Sequence, residues 1–302
     1  MAITVTQLTA LLAVARGGSV TAAADELGVT QPSVSSAIAS LSRELGCELL
    51  ERAGRGISLT EAGGAFVPYA ADVLGLLERG RRAAAEAAAI ATRRLRIAAV
   101  TTAAESFVPA MMSDFARSHP DVELTLAVGN RAQVLESVLG HAADVAISGR
   151  PPADERLIAE PLRPNPIVCI TAPDDPLAGG EPCPGRSLHE RPWLLRERGS
   201  GTRALNERFL ADRGMSPRLL ELGSNGAIKQ AARAGLGVSL VSLDAVAAEL
   251  ESGLLGAIAL IDPPPTRPWY LLRAAVGPPR PSVRELFEHL LAPRAPTRLR
   301  SA

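Results

Sequence analysis

The chain has 302 residues, 47% of them hydrophobic, 21% charged and 3% aromatic. This suits about two soluble domains with aliphatic cores. The formal net charge is zero, and the first 60 residues carry four Arg against five acids, so overall basicity does not indicate nucleic acid and any DNA affinity must come from local placement of charge. Three cysteines (Cys47, Cys169, Cys183) exclude a closed disulfide framework, four histidines lack metal-ligand spacing, and neither a signal peptide nor an apolar run of about 20 residues is found, so a cytoplasmic, membrane-free protein without metal or cofactor is expected.

In chain order, Leu8, Leu11, Leu12 and Ala15 recur at helical spacing, with Thr4 and Gln7 set as a capping box and Gly17-Gly18 as a stop. Ser19 caps a second helix ending at Gly28. Thr30 caps a third, running to about Leu45, with Pro32 in its first turn and Val34, Ile38, Leu41 and Leu45 as its buried stripe. Residues 49–59, with Arg52, Gly54, Arg55 and Gly56, predict a short hairpin. A long Ala-rich helix follows from Thr60 to about Ala91, with a seam through Phe66, Ala70, Val73 and Leu77 suited to pairing with a second helix.

Beyond Arg93-Arg94, short aliphatic runs alternate with helical patterns, which predicts an α/β fold with mostly parallel sheets. Strands are expected at 95–100, 122–128, 145–148, 167–171, 219–222 and 238–241, and helices at 107–117, 131–139, 202–211, 227–234 and 244–250. Pro-rich stretches at 161–166 and 263–268 are expected to be two crossings between two lobes. The divisions are 1–59, 60–92 and 93–302, with one lobe at about 93–162 and 268–292 and the other at about 163–267. The tail after Pro293 is expected to be disordered.

The first two short helices and the third, opened by Thr30, Gln31, Pro32 and Ser33, form a helix-turn-helix pattern. Polar side chains in the first turn of a recognition helix reach base edges in the major groove. Gln31 has the amide for a bidentate contact with adenine. Ser33, Ser35 and Ser36 are short donors, and Arg52 and Arg55 are placed to meet phosphates. The alternative is a three-helix protein-interaction domain whose Gln and Ser serve only as caps and solubilising groups.

Residues 6–64, from QLTALLAVARGGSVTAAADELGVTQPSVSSAIASL to SLTEAG, resemble the N-terminus of LysR-type transcriptional regulators. The resemblance implies a winged helix-turn-helix, a recognition-helix start at Gln31, Pro32, Ser33 and Ser35, and wing residues at Arg52 and Arg55. Two positions depart from the pattern: Ser36 stands where a longer side chain is usual, and Leu50 where Phe is usual. The likeness continues through VGNR (128–131), ISGRPP (147–152), RERGSGTR (196–203), ELGSNGAIKQAARAGLGVSLVS (221–242) and RPWYLLR (267–273). These resemble the subgroup that regulates carbon-fixation and inorganic-carbon uptake operons. They imply a two-lobed, periplasmic-binding-protein-like effector domain and a tetramer built from two dimers on promoter DNA.

Physically, several helix starts suit an anion, because unpaired backbone N–H groups and helix dipoles favour negative charge. The candidates are Thr101, Thr102, Asn130, Ser200, Gly201, Thr202, Arg203 and Asn225, with Arg131 and Arg150 weaker ones that could instead be solvated. For each, the ordinary alternative is helix capping. The expected ligand is a small anionic metabolite, either a sugar phosphate or a reduced nicotinamide nucleotide. His141 and Cys169 read as structural, with a redox pair Cys169–Cys183 as the alternative. Two other functions are weighed: a solute-binding protein of a transport system, and an enzyme with Ser200 or Thr202 as nucleophile. The few histidines stand in no recognisable catalytic motif, so no enzymatic activity is expected.

Overall fold

The computed structural model describes residues 3–53, 56–88 and 93–292. The N-terminal helices are set by their caps. Thr4 and Gln7 bond reciprocally, the Thr4 N–H donating to Gln7 Oε1 at 2.7 Å and the Gln7 N–H to Thr4 Oγ1 at 3.3 Å. They open α1 (Val5–Gly17). Ser19 caps α2 (Val20–Leu27), and Thr30 caps α3 (Gln31–Leu45). Gly18, Gly28 and Gly46 end the three helices at φ of 64°, 65° and 71°, a conformation that side chains with a Cβ disfavour. A two-stranded hairpin follows, β1 (Leu50–Ala53) antiparallel to β2 (Gly56–Leu59). Thr60 then caps α4 (Glu61–Ala87). Leu8, Leu11, Leu41, Leu49 and Ala70 are buried together, so the start of α4 is packed into the same core as α1 and α3.

The chain divides into two compact units. The first holds Met1–Ala91 together with Leu139–His141 and Val276–Arg280, and the second holds the remainder. The long helix therefore groups with the N-terminal module, and two short pieces of the expected 93–302 domain belong to the first unit.

The second unit begins with β3 (Arg93–Val100), α5 (Thr101–Glu105), α6 (Val108–Ser118), β4 (Val122–Gly129), α7 (Arg131–Leu139), β5 (Val145–Ser148) and β6 (Leu157–Asn165). It continues with β7 (Ile167–Thr171), β8 (Trp193–Arg196), α8 (Gly201–Asp212), β9 (Leu219–Leu222), α9 (Asn225–Arg233) and β10 (Ser239–Ser242). It closes with α10 (Ala247–Glu251), β11 (Gly256–Ile258), β12 (Arg267–Ala274) and α11 (Pro281–Leu291). One lobe is a five-stranded sheet in the order β4-β3-β5-β12-β6. Its face holds Leu95, Ile97, Phe115, Ile147 and Leu286. The other lobe has β10-β7-β11 and β8-β9, with cores around Trp193, Phe209 and Leu240 and around Ile170, Leu194 and Ile228.

The sheets are not mostly parallel: the five-stranded one is mixed, β10-β7-β11 is antiparallel and β8-β9 is parallel. β3 runs parallel to β4 and β5, and β8 to β9, but β12 is antiparallel to β5 and β6, and β7 to β10 and β11. Connectivity is the reason: the chain leaves the first lobe along β6 and returns along β12, and an outgoing strand beside a returning one is antiparallel. The two proline stretches expected as crossings supply residues to these strands, Pro268 lying opposite Pro164 with a register shift between Trp269 and Tyr270. β6 tolerates prolines as an edge strand, and β12 pairs with β5 only over Tyr270–Leu272, clear of Pro268.

Candidate functional site

The first turn of α3 is exposed at Gln31, Pro32 and Ser33, and again at Ser35 and Ser36, while Val34, Ile38 and Leu41 point into the core. Two of the expected DNA-contacting hydroxyls have local work. Thr30 and Ser33 share a hydrogen bond at 2.8 Å, and the Ser33 N–H donates to Thr30 Oγ1 at 3.4 Å. They act as the cap of α3. Gln31, Ser35 and Ser36 make no side-chain hydrogen bond among the described residues, so their polar groups face solvent. Arg52 is exposed on β1; Arg55, its expected partner on the hairpin tip, lies outside the described residues.

In the second unit a cleft of about 470 Å³ opens between the lobes. Of the expected effector residues, Thr101, Thr102, Asn130, Arg131, Arg150, Ser200, Gly201 and Thr202 line it. Their side chains differ in what they have left to offer. Asn130 caps α7 in a reciprocal pair, its Oδ1 accepting from the Gln133 N–H at 3.1 Å while its own N–H donates to Gln133 Oε1 at 2.9 Å. The Arg131 Nη2 donates to the Arg150 carbonyl at 2.8 Å. Ser200 stands at the N-cap of α8 without a side-chain cap bond, although it is buried, so its hydroxyl remains for something in the cleft.

The other two residues take different places. Arg203 does not line the cleft. Its guanidinium bonds Glu207, Glu221 and the Arg196 carbonyl, and those carboxylates hold its pKa above the usual arginine value. The adjacent helical geometry that made it a candidate turns it toward α8 and β9. Asn225 is buried one layer back, donating from Nδ2 to Thr102 Oγ1 at 2.9 Å and accepting from Arg196. It joins the two lobes through their side chains. Ser224 is an ordinary cap, accepting from the Ala227 N–H at 3.0 Å.

The positive charge of the cleft comes instead from arginines in separate segments. Arg150, Arg196, Arg208 and Arg267 line the cleft with Arg131, and among the described residues no acidic one does. Arg196 is nearly fully buried and committed to Glu197 and Asn225. Arg267 is different. Burial, and after it the positive charges of Arg208 and Arg131, push its pKa below the usual value, and among the described residues no carboxylate pairs with it. Ser148, at the end of β5 on the cleft wall, is fully buried and its Oγ has no hydrogen-bond partner among the described residues. A buried hydroxyl without a partner is costly unless a bound molecule completes its hydrogen bonding.

Ser148 and Arg267 lie in ISGRPP and RPWYLLR, two segments that carry the family likeness, but nothing in the sequence alone gives either a role. Their convergence requires β5 and β12 to be neighbours, which no local pattern encodes. The redox alternative fares poorly. Cys169 is buried and burial pushes its thiol up to about 12, so it stays protonated and unreactive.

A winged helix-turn-helix followed by a long helix and a two-lobed domain with a cationic cleft defines a one-component regulator, a DNA reader joined to a small-molecule sensor. Residues 5–64 match the model described as "Bacterial regulatory helix-turn-helix protein, lysR family", and residues 89–293 match "LysR substrate binding domain". The chain belongs to the LysR family of bacterial transcriptional regulators, whose members bind promoter DNA and respond to small-molecule effectors. A RuBisCO operon transcriptional regulator of Allochromatium vinosum is 36% identical over 90% of this chain and 90% of its own length. CbbR of Rhodospirillum rubrum is 38% identical over 86% of each. The regulatory domain of Synechocystis CcmR, solved in complex with 2-PG, is 32% identical with a TM-score of 0.62, covering 66% of this chain and 96% of that one. A transport binding protein is not favoured, because the N-terminal match is to a DNA-binding module.

Proposed function

We propose that this regulator takes a compact phosphorylated acid or sugar phosphate into the cleft of its second unit. The observation that carries this reading is Arg267, set with Arg208 and Arg131 in a cleft without acidic residues. The 2-PG complex of the CcmR domain supports the same ligand class. A cavity of about 470 Å³ suits a small metabolite, and this favours the sugar-phosphate class over the larger nicotinamide nucleotide. Similarity to regulators named for RuBisCO operons supports a promoter of carbon fixation or inorganic-carbon uptake as the target. The protein acts in the cytoplasm, where promoter DNA lies, and by binding rather than catalysis. Ser200 and Thr202 stand in a cleft whose wall, among the described residues, holds no His, Asp, Glu or Lys to serve as a base.

The DNA contacts are assigned to Gln31, Ser35 and Ser36 for bases and to Arg52 for phosphate. Gel shifts on the promoter beside its own gene test this. Gln31→Ala should cost about 1–3 kcal/mol at the true operator and little elsewhere. Arg52→Ala should weaken binding to every sequence and lower the salt slope by about 1. Base discrimination unchanged in the Gln31, Ser35 and Ser36 variants would overturn the assignment. Calorimetry with 2-phosphoglycolate tests the ligand class.

A further inference from the structure

One face of α4 is occupied by two short segments of the first unit. Toward the middle of the helix, His141 is held in the left-handed region at φ 58° and is buried. Asp72 is a carboxylate and can only accept, so His141 Nε2 donates to its Oδ1 at 2.9 Å. The imidazole fits because position 75 is glycine: a Cβ there would lie 2.1 Å from His141 Cδ2. One turn further on, Arg79 donates to the carbonyls of Val276 and Pro278. Gly277, at φ 69°, closes over Leu76 so tightly that a Cβ would stand 2.4 Å from Leu76 Cδ2. At the last turns, Glu86 pairs with Arg280, and both side chains are at least nine-tenths buried. Positions 72, 75, 79 and 86 follow the three-and-four spacing of one helix face.

These segments are the continuations of two elements that begin at the effector cleft. α7 starts with Arg131 on the cleft wall and ends at Leu139, two residues before His141. β12 starts with Arg267 on that wall and ends at Ala274, two residues before Val276. Both elements therefore lead along the chain from the cleft wall to the two segments on α4, β12 with a register shift between Trp269 and Tyr270 on the way.

We propose that Leu139–His141 and Val276–Arg280 form a two-point latch on α4, through which occupancy of the cleft biases the helix that carries the DNA-binding module. The proposal rests on the cleft being the effector site. An effector shifts the latch only by its differential affinity for the latched and unlatched states, and the same factor must appear in its affinity with and without DNA.

The test uses the full chain, operator DNA and 2-phosphoglycolate. In the parent protein, operator DNA should change hydrogen exchange at 139–141 and 276–280, and should change 2-phosphoglycolate affinity at least about fivefold. Asp72→Ala and Arg79→Ala, each checked for folding by circular dichroism, should speed exchange in those segments without DNA and make it indifferent to DNA. Their ratio of affinities should fall to within about twofold of one, while affinity without DNA stays near the parent value. Variants that keep the parent's exchange pattern and ratio overturn the latch. If the parent fails to bind 2-phosphoglycolate, the ligand class fails, and the DNA-dependent exchange decides the latch by itself.

Discussion

The recognition helix and the effector cleft solve opposite problems. The first turn of α3 presents Gln31, Pro32, Ser33, Ser35 and Ser36 from a single stretch of six residues, all exposed. The cleft collects Thr101, Ser148, Arg208 and Arg267 from four separate elements or their ends, with Ser148 fully buried. A surface that must enter a groove of DNA is built by one rigid helix. A pocket that must surround a small molecule is built by convergence, so its chemistry depends on the whole topology.

That contrast can be broken in three ways. The largest effect is expected on α4, where Tyr69, Val73 and Leu77 are 68%, 52% and 58% exposed although Ala70 beside them is buried. We propose that this stripe pairs with a second copy. Val73→Asp with Leu77→Asp would place charges in the seam and cost several kcal/mol. Light scattering should show monomers and gel shifts a loss of operator binding, with effector affinity retained. An unchanged mass would remove α4 as the dimer element.

Next, Arg267→Ala should lower 2-phosphoglycolate affinity by about 10- to 150-fold, the range for hydrogen bonds to charged groups. Arg203→Ala should stay within about threefold of the parent, a difference below about 0.7 kcal/mol. The reverse ranking in calorimetry would return Arg203 to the site and remove Arg267.

The smallest effect concerns acid. Burial alone would raise Asp175, but the Arg191 guanidinium, the Thr171 hydroxyl and the Leu177 N–H together lower it to about 2. A folded-state value below the unfolded one gives stability above the unfolded pKa of about 3.9 that is lost as pH falls through the folded value. Asp175→Asn should cost about 2 kcal/mol at pH 7, with variant and parent converging near pH 2 in thermal melts. Glu78 on α4 also lies at about 2, through Arg81 and Arg82. Its side chain is 41% exposed, so solvent screening should hold Glu78→Gln below about 1 kcal/mol.

Much of the fold was legible because caps and short aliphatic runs are local. Thr4, Ser19 and Thr30 cap where their spacing predicts, and strands at 145–148, 167–171 and 219–222 fall where the aliphatic runs place them. β6 and β12 were missed as strands because prolines break the alternating signal that marks one. α11 was missed although its pattern, with Val283, Leu286 and Leu290 buried, is helical. In the site, helix starts were legible and charge was not. Arg203 follows a Gly-Ser-Gly-Thr start and looked suited to a ligand, yet Glu207 lies one turn along the same helix and claims it. Arg267 lies in RPWYLLR with no local pattern to mark it as a ligand group, and its lowered pKa comes from burial and from Arg208 and Arg131 on distant helices.

The junction between hairpin and long helix has a mechanical consequence. Thr60 caps α4 at the Gly63 N–H and donates its hydroxyl to the Glu48 carbonyl at 2.7 Å, and a Cβ at Gly63 would stand 2.1 Å from the Leu49 oxygen. The joint is welded, so α4 and α3 turn together. At 1.5 Å per residue, the 27 residues of α4 make a lever of about 40 Å, and a tilt of roughly 5° sweeps its end through about 3.5 Å. That is the height of one base step in DNA. The only proline inside α4 is Pro68. It cannot donate to the Gly64 carbonyl four residues back, so the lever has its softest point one turn beyond the weld, where a small flexure would re-aim the reading head on the DNA.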